Sequence, residues 1–86
     1  MPAPDTNAAH ATALRALVWT LQDSSRSERM LALTGLDGAA IRARIEDPAL
    51  LGAVIDFLEA HEPDLIACAK AIEVSPLDLL AARTAL

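Results

Sequence analysis

Three proline junctions set the grain of this chain. Asp47-Pro48, Glu62-Pro63 and Ser75-Pro76 each put a proline directly after a polar residue. Proline has no amide proton and its φ is already helical, so the first position of a helix suits it and the interior does not. A preceding Asp or Ser supplies a side-chain oxygen for the first-turn amides that lack a partner. Read this way, the junctions open three helices, at about 48–60, 63–72 and 76–85. The first of these is the most apolar. Leu50, Leu51, Val54, Ile55, Phe57 and Leu58 cover nearly half its circumference and Asp56 and Glu59 mark its wet side, so it is expected at the centre.

The preceding residues follow the same grammar. Residues 1–6 read as a Pro-containing flexible tail, and residues 7–86 as a single helical domain. Thr6 or Asn7 caps a helix to about Gln22, with Leu14, Leu17, Val18 and Leu21 at i, i+3, i+4, i+7 as its buried stripe. Ser25 and Glu28 match a capping box for a second helix, about 26–34, carrying Met30, Leu31 and Leu33. Gly35 suits the left-handed position that ends it. Asp37 then caps a short third helix, about 38–46, with Ile41 and Ile45 at i, i+4.

Composition supports helices and nothing else. Alanine and leucine supply 19 and 14 of the 86 residues, against one Phe, one Trp and no Tyr, so sheet-forming residues are scarce. The expected fold is all-α, a compact bundle of five to six short helices. It carries a trace of duplication. At an offset of 37, Leu14, Arg15, Ala16, Leu17, Val18 and Leu21 align with Leu51, Gly52, Ala53, Val54, Ile55 and Leu58. At an offset of 38, Leu36, Asp37 and Gly38 align with Val74, Ser75 and Pro76. Each half reads as long helix, medium helix, turn, short helix, and neither three-helix half has core enough to stand alone.

The segments Ala13 to Trp19, Leu33 to Asp37, Ile41 to Arg44, Asp47-Pro48, Leu51 to Leu58 and Ala81 to Arg83 resemble an uncharacterised family of small, all-helical alphaproteobacterial proteins. The likeness covers about residues 8–86 and is most specific from Thr34-Gly35 to Phe57-Leu58. The chain departs from it at Glu73, where such proteins carry glycine, and at Gly38, where Pro or a polar residue is usual. The resemblance implies a helical architecture and a bacterial cytoplasm, and no activity.

Charge and motifs narrow the function classes. Net charge is −5, and all of it lies in residues 44–86, which disfavours nucleic acid and anionic membrane surfaces as partners. No apolar run approaches the ~18 residues of a membrane span, and the basic-then-apolar order of a signal peptide is missing. Three glycines, Gly35, Gly38 and Gly52, cannot build a phosphate-binding loop or a nucleophile elbow. Cys68, the only cysteine, reads as core filler beside Leu65 and Ile72. His10 and His61 read as solvated; His61 sits at a helix end where the dipole favours a cation. Asp56, Glu59, Glu62 and Asp64 read as a solvated face. No catalytic residue, cofactor or metal site is expected.

What remains is a surface for binding. Trp19 projects about 140° from Leu14, off the main stripe, which makes it a core residue of a helix buried on two faces or an anchor for a partner. Arg26 and Arg29 stand at i, i+3, and Arg42 and Arg44 follow on the third helix. The expectation is a small non-enzymatic cytoplasmic interaction module, monomeric or weakly dimeric, with an unknown protein partner and no membrane. The alternative is a helix-turn-helix-like nucleic-acid binder using those four arginines.

Overall fold

The computed structural model describes residues 6–86 and arranges them in six helices with no strand among the described residues. These are α1 (Thr6–Leu21), α2 (Ser24–Thr34), α3 (Gly38–Ala43), α4 (Pro48–Glu59), α5 (Glu62–Ala71) and α6 (Pro76–Ala85). Thr6, expected to end the tail, opens α1; residues 1–5 lie outside the described residues.

The helix starts follow from their caps. Asp37, Asp47 and Ser75 accept hydrogen bonds from the amides of Ala40, Ala49 and Asp78. Asp78 accepts in return from the Ser75 amide, completing a capping box. The box expected at Ser25 and Glu28 does not form. Asp23 takes the cap instead, accepting from the Arg26 amide at 2.9 Å, and α2 begins at Ser24. A carboxylate is the stronger acceptor there, and the reach from α1 to α2 is short enough to use it. α3 ends at Ala43 rather than near Glu46, so Ile41 is buried while Ile45 lies outside the helix and exposed.

α4 is the hub. All six of its large apolar side chains are buried, and it packs against α1, α2, α5 and α6. Such burial is worth about 1.5–3 kcal/mol per side chain before entropy is charged against it. The molecule measures 38 × 27 × 17 Å, and its short axis admits two layers of helices.

α1 turns a different face inward from the one its leucines mark. Its buried residues are Ala9, Ala13, Ala16, Leu17 and Thr20. Leu14 is half-buried, Leu21 is exposed, and Val18 is 54% exposed. α1 is gripped between α4 and α6, and small side chains let those helices approach closely. Thr20 is fully buried and its hydroxyl donates to the Ala16 carbonyl at 2.8 Å, so nothing polar is stranded. Likewise α2 buries Met30, half-buries Leu31 and leaves Leu33 exposed.

Candidate functional site

A groove of about 430 Å³ runs along the outer side of α1. Leu14 and Val18 lie one turn apart on it, Arg15, Trp19 and Gln22 follow at i, i+4, i+7, and Ala71 and Ile72 at the end of α5 close the far wall. The stripe from residue 14 to residue 22 is about 12 Å long, two turns and a little more. Among the described residues Arg15 is its sole charged lining residue, and the Arg15 Nη2 donates to the Ile72 carbonyl, tying α1 to the end of α5.

Trp19 is half-buried against the main core, so one edge of the ring is structural. Arg26 covers it. The guanidinium carbon lies 3.6 Å from the ring centroid, and Nη2 donates to the Trp19 carbonyl at 2.7 Å. Arg26 Nε is buried without an acceptor among the described residues, which costs about 1–3 kcal/mol. Stacking on the ring and the carbonyl bond offset that cost.

The other expected binding residues lie elsewhere. Arg29 Nη2 meets Asp64 Oδ2 at 3.0 Å, and its guanidinium stands 5.8 Å from the Phe57 ring centroid. Arg44 Nη2 meets Asp47 Oδ2 at 3.1 Å, one turn away. Together with the Ala49 amide, the stronger influence, it holds the Asp47 carboxyl below its usual range. Arg42 is exposed and forms no ion pair among the described residues. The fold therefore joins Trp19 to Arg26 and disperses Arg29, Arg42 and Arg44. The helix-turn-helix candidate keeps its turn but offers only the six residues of α3 as a second helix, about 9 Å long.

A second groove, of about 500 Å³, lies between the end of α2 and α4, floored by Leu36, Leu50, Ala53 and Phe57. The charges on its rim are already engaged: Arg44 with Asp47, and Asp56 with Arg83 at 3.0 Å.

The carboxylates at the end of α4 do not converge. Glu59 and Glu62 are exposed, Asp56 pairs with Arg83, and Asp64 receives both Arg29 and the His61 Nδ1 at 3.0 Å. His61 stands between two helices: its amide donates to the Leu58 carbonyl just past the end of α4, the helix end expected for it, and it also precedes α5, where its imidazole meets the Asp64 side chain. Among the described residues no group of three or more His, Cys, Asp or Glu is placed to hold a metal. Cys68 is fully buried in the main core, and burial pushes its thiol up to about 11 from 9.0. Among the described residues no helix is long and apolar enough to cross a membrane.

Sequence reasoning found Trp19 and missed Arg15 and the openness of Val18. The internal alignment carries no signal for either: it pairs Leu14 and Val18 with Leu51 and Ile55 and expects third helices of nearly equal length, about 38–46 and 76–85, whereas α3 has six residues and α6 ten. Neither a curated protein nor a solved structure matches the chain. A match covering residues 6–86 places the chain in the family described as "Protein of unknown function (DUF3572)", to which it belongs.

Proposed function

We propose that this protein is a small non-enzymatic interaction module, an adaptor or regulatory accessory of a bacterial cytoplasm, working as a monomer or weak dimer. The observation that carries the reading is the uncovered apolar face of α1. Val18 is 54% exposed and Leu21 40%, with half-buried Leu14 and Trp19 beside them. Leu51, Ile55 and Leu58, the aligned counterparts of Leu14, Val18 and Leu21, are wholly buried. Contiguous exposed apolar surface beside a tryptophan is the signature of a protein-binding face. The arginines lend little to the nucleic-acid alternative, because Arg26, Arg29 and Arg44 are engaged within the chain. The carboxylates at the end of α4 are spread out, with Glu59 and Glu62 exposed and Asp56 and Asp64 already paired, which lends little to an acid–base reading.

Affinity capture from the native host, with the wild-type chain beside Val18→Glu and Trp19→Ala, tests this reading. Loss of the specific partners in both variants, with folding intact by circular dichroism, is the expected result. Retention of every partner by folded variants sinks it.

A further inference from the structure

The two halves of the chain treat equivalent positions oppositely, and the difference describes what is missing. On α4, Leu51 and Ile55 are buried with Ala82 of α6 and with Ala9 and Ala13 of α1, and Leu14 packs on the edge of the same cluster. Arg83 of α6 reaches across Gly52, where an added Cβ would lie 2.8 Å from the guanidinium carbon, and pairs with Asp56 at 3.0 Å. The aligned positions on α1 are Leu14, Val18, Arg15 and Trp19, and these line the open groove. α3 does not cover them: its only buried residue is Ile41. The charge is also exchanged. Arg83 lies over Gly52 and pairs with Asp56, one turn on; the aligned α1 positions are Arg15, whose Nη2 donates to the Ile72 carbonyl, and Trp19, so α1 presents a guanidinium and no carboxylate there.

We propose that the α1 groove receives a short amphipathic helix of a partner protein, with a Leu/Ala stripe on Leu14 and Val18 and a carboxylate on Arg15. This rests on the interaction-module reading and specifies its partner. The covered mate supplies the shape of the occupant, and the exchanged charge supplies its sign. A second copy seated face to face on the same groove would set Arg15 against its own counterpart, and two chains of net charge −5 repel further.

The probe is a synthetic helix with the sequence of residues 75–86, stapled across positions 77 and 81, both exposed in α6. It is made in two forms, with Arg83 kept or with Arg83→Glu, and each is titrated into the isotope-labelled full chain. The Glu form is expected to bind about three- to ten-fold more tightly than the Arg form, the range an exposed charge reversal spans. Amide shifts should fall in residues 14–22 and at Ile72, and the Trp19 indole should move with them. Val18→Glu should abolish binding, and Arg15→Glu should invert the charge preference. Equal affinity for the two forms overturns the proposal. So do shifts centred on Leu51 and Ile55, on Leu36 and Phe57, or absence of binding at millimolar peptide. If the peptides fail while capture from the host still depends on Val18, the module stands and the helical partner falls. If capture is also indifferent to Val18, both fall.

Discussion

The first half, α1 to α3, and the second, α4 to α6, share an order of helices and part company at the third. α1 and α4 pack on each other, each packs on the helix that follows it, and each packs on the medium helix of the opposite half. Up to that point the halves are related as a twofold would relate them. α6, ten residues long, then folds back over both α1 and α4, while α3, six residues long, is pinned by Ile41 and covers neither. A helix of ten residues has room for a buried pair one turn apart, here Leu79 and Ala82, plus a cation beyond it. One of six has room for a single anchor. Third-helix length thus decides which long helix becomes core on two faces and which keeps a face for other uses.

Aligned positions should therefore respond unequally to the same deletion. Ile55→Ala removes a fully buried side chain from the junction of α4 and α6 and is expected to cost about 2–5 kcal/mol in denaturant unfolding. Val18→Ala, its counterpart, is expected to change stability by under about 0.5 kcal/mol. Comparable losses at the two sites would mean that the α1 face is covered in solution, and the contrast between halves would collapse.

Much of this contrast is written in local chemistry, and some of it is not. The ends of α3, α4 and α6 are legible because Asp37, Asp47-Pro48 and Ser75-Pro76 each solve the problem of partnerless first-turn amides with atoms one to three residues away. The inward face of α1 is not legible by the same means. Alanine is nearly neutral on hydrophobic scales, so Leu14, Val18 and Leu21 outweigh Ala9, Ala13 and Ala16 in any reading by side-chain size. Close packing reverses the ranking, because only small residues allow α1 to sit between two neighbours. The Asp23 cap shows a milder form of the problem: two capping schemes were available within three residues, and the charged acceptor prevailed. For the candidate site, Trp19 stands out by its type and by its place about 140° from Leu14, off the leucine stripe. Arg15 does not, because an arginine on an outer helical face has nothing unusual about it until its neighbours are known to be bare.

The ends of the second helices offer a sharper comparison. α2 closes on Gly35 at φ 71°, whose amide donates to the Leu31 carbonyl. α5 closes on Glu73 at φ 62°, with the Val74 amide donating to Ala69 and the Glu73 amide to Lys70, the paired bonds of a Schellman end. Glu73 thus occupies a left-handed position that glycine takes without strain. Glu73→Gly is expected to stabilise by about 1 kcal/mol, and Gly35→Ala to destabilise by about as much. In a domain of this size each shifts the melting midpoint by about 4–8 °C. A destabilised Glu73→Gly would show that the side chain carries a favourable contact larger than the backbone strain.

Gly52 tests the α4–α6 seam on a finer scale. The nearest atoms a methyl there would meet belong to the far end of Arg83, a flexible side chain that can swing away. The variant Gly52→Ala gains about 0.5–1 kcal/mol of helix preference and gives up an exposed ion pair worth about 0–1 kcal/mol. Net stabilisation of under about 0.5 kcal/mol is expected, with the Asp56 pair broken in the NMR spectrum. A loss above 1 kcal/mol would mean that Arg83 cannot move, making the seam a rigid lock; the bare α1 face would then call for a correspondingly well-formed partner contact.

The smallest difference concerns acid. Asp47 and Asp78, both at helix starts in the second half, have carboxyl groups held below the ordinary 3.8. For Asp47 the leading cause is the Ala49 amide, followed by Arg44; for Asp78 it is the Ser75 amide, followed by the Ser75 hydroxyl. A depressed carboxyl favours the folded state when ionised, so its contribution is complete above the unfolded value and fades as pH falls through the folded one. Stability should therefore decline below about pH 4, with α4 and α6 losing their first turns before α1 does. Asparagine keeps the accepting oxygen but can neither titrate nor carry the charge, so Asp47→Asn with Asp78→Asn should flatten that decline by lowering neutral-pH stability toward its acid value. An equally steep acid loss in the double variant would show that these two helix caps are not its origin.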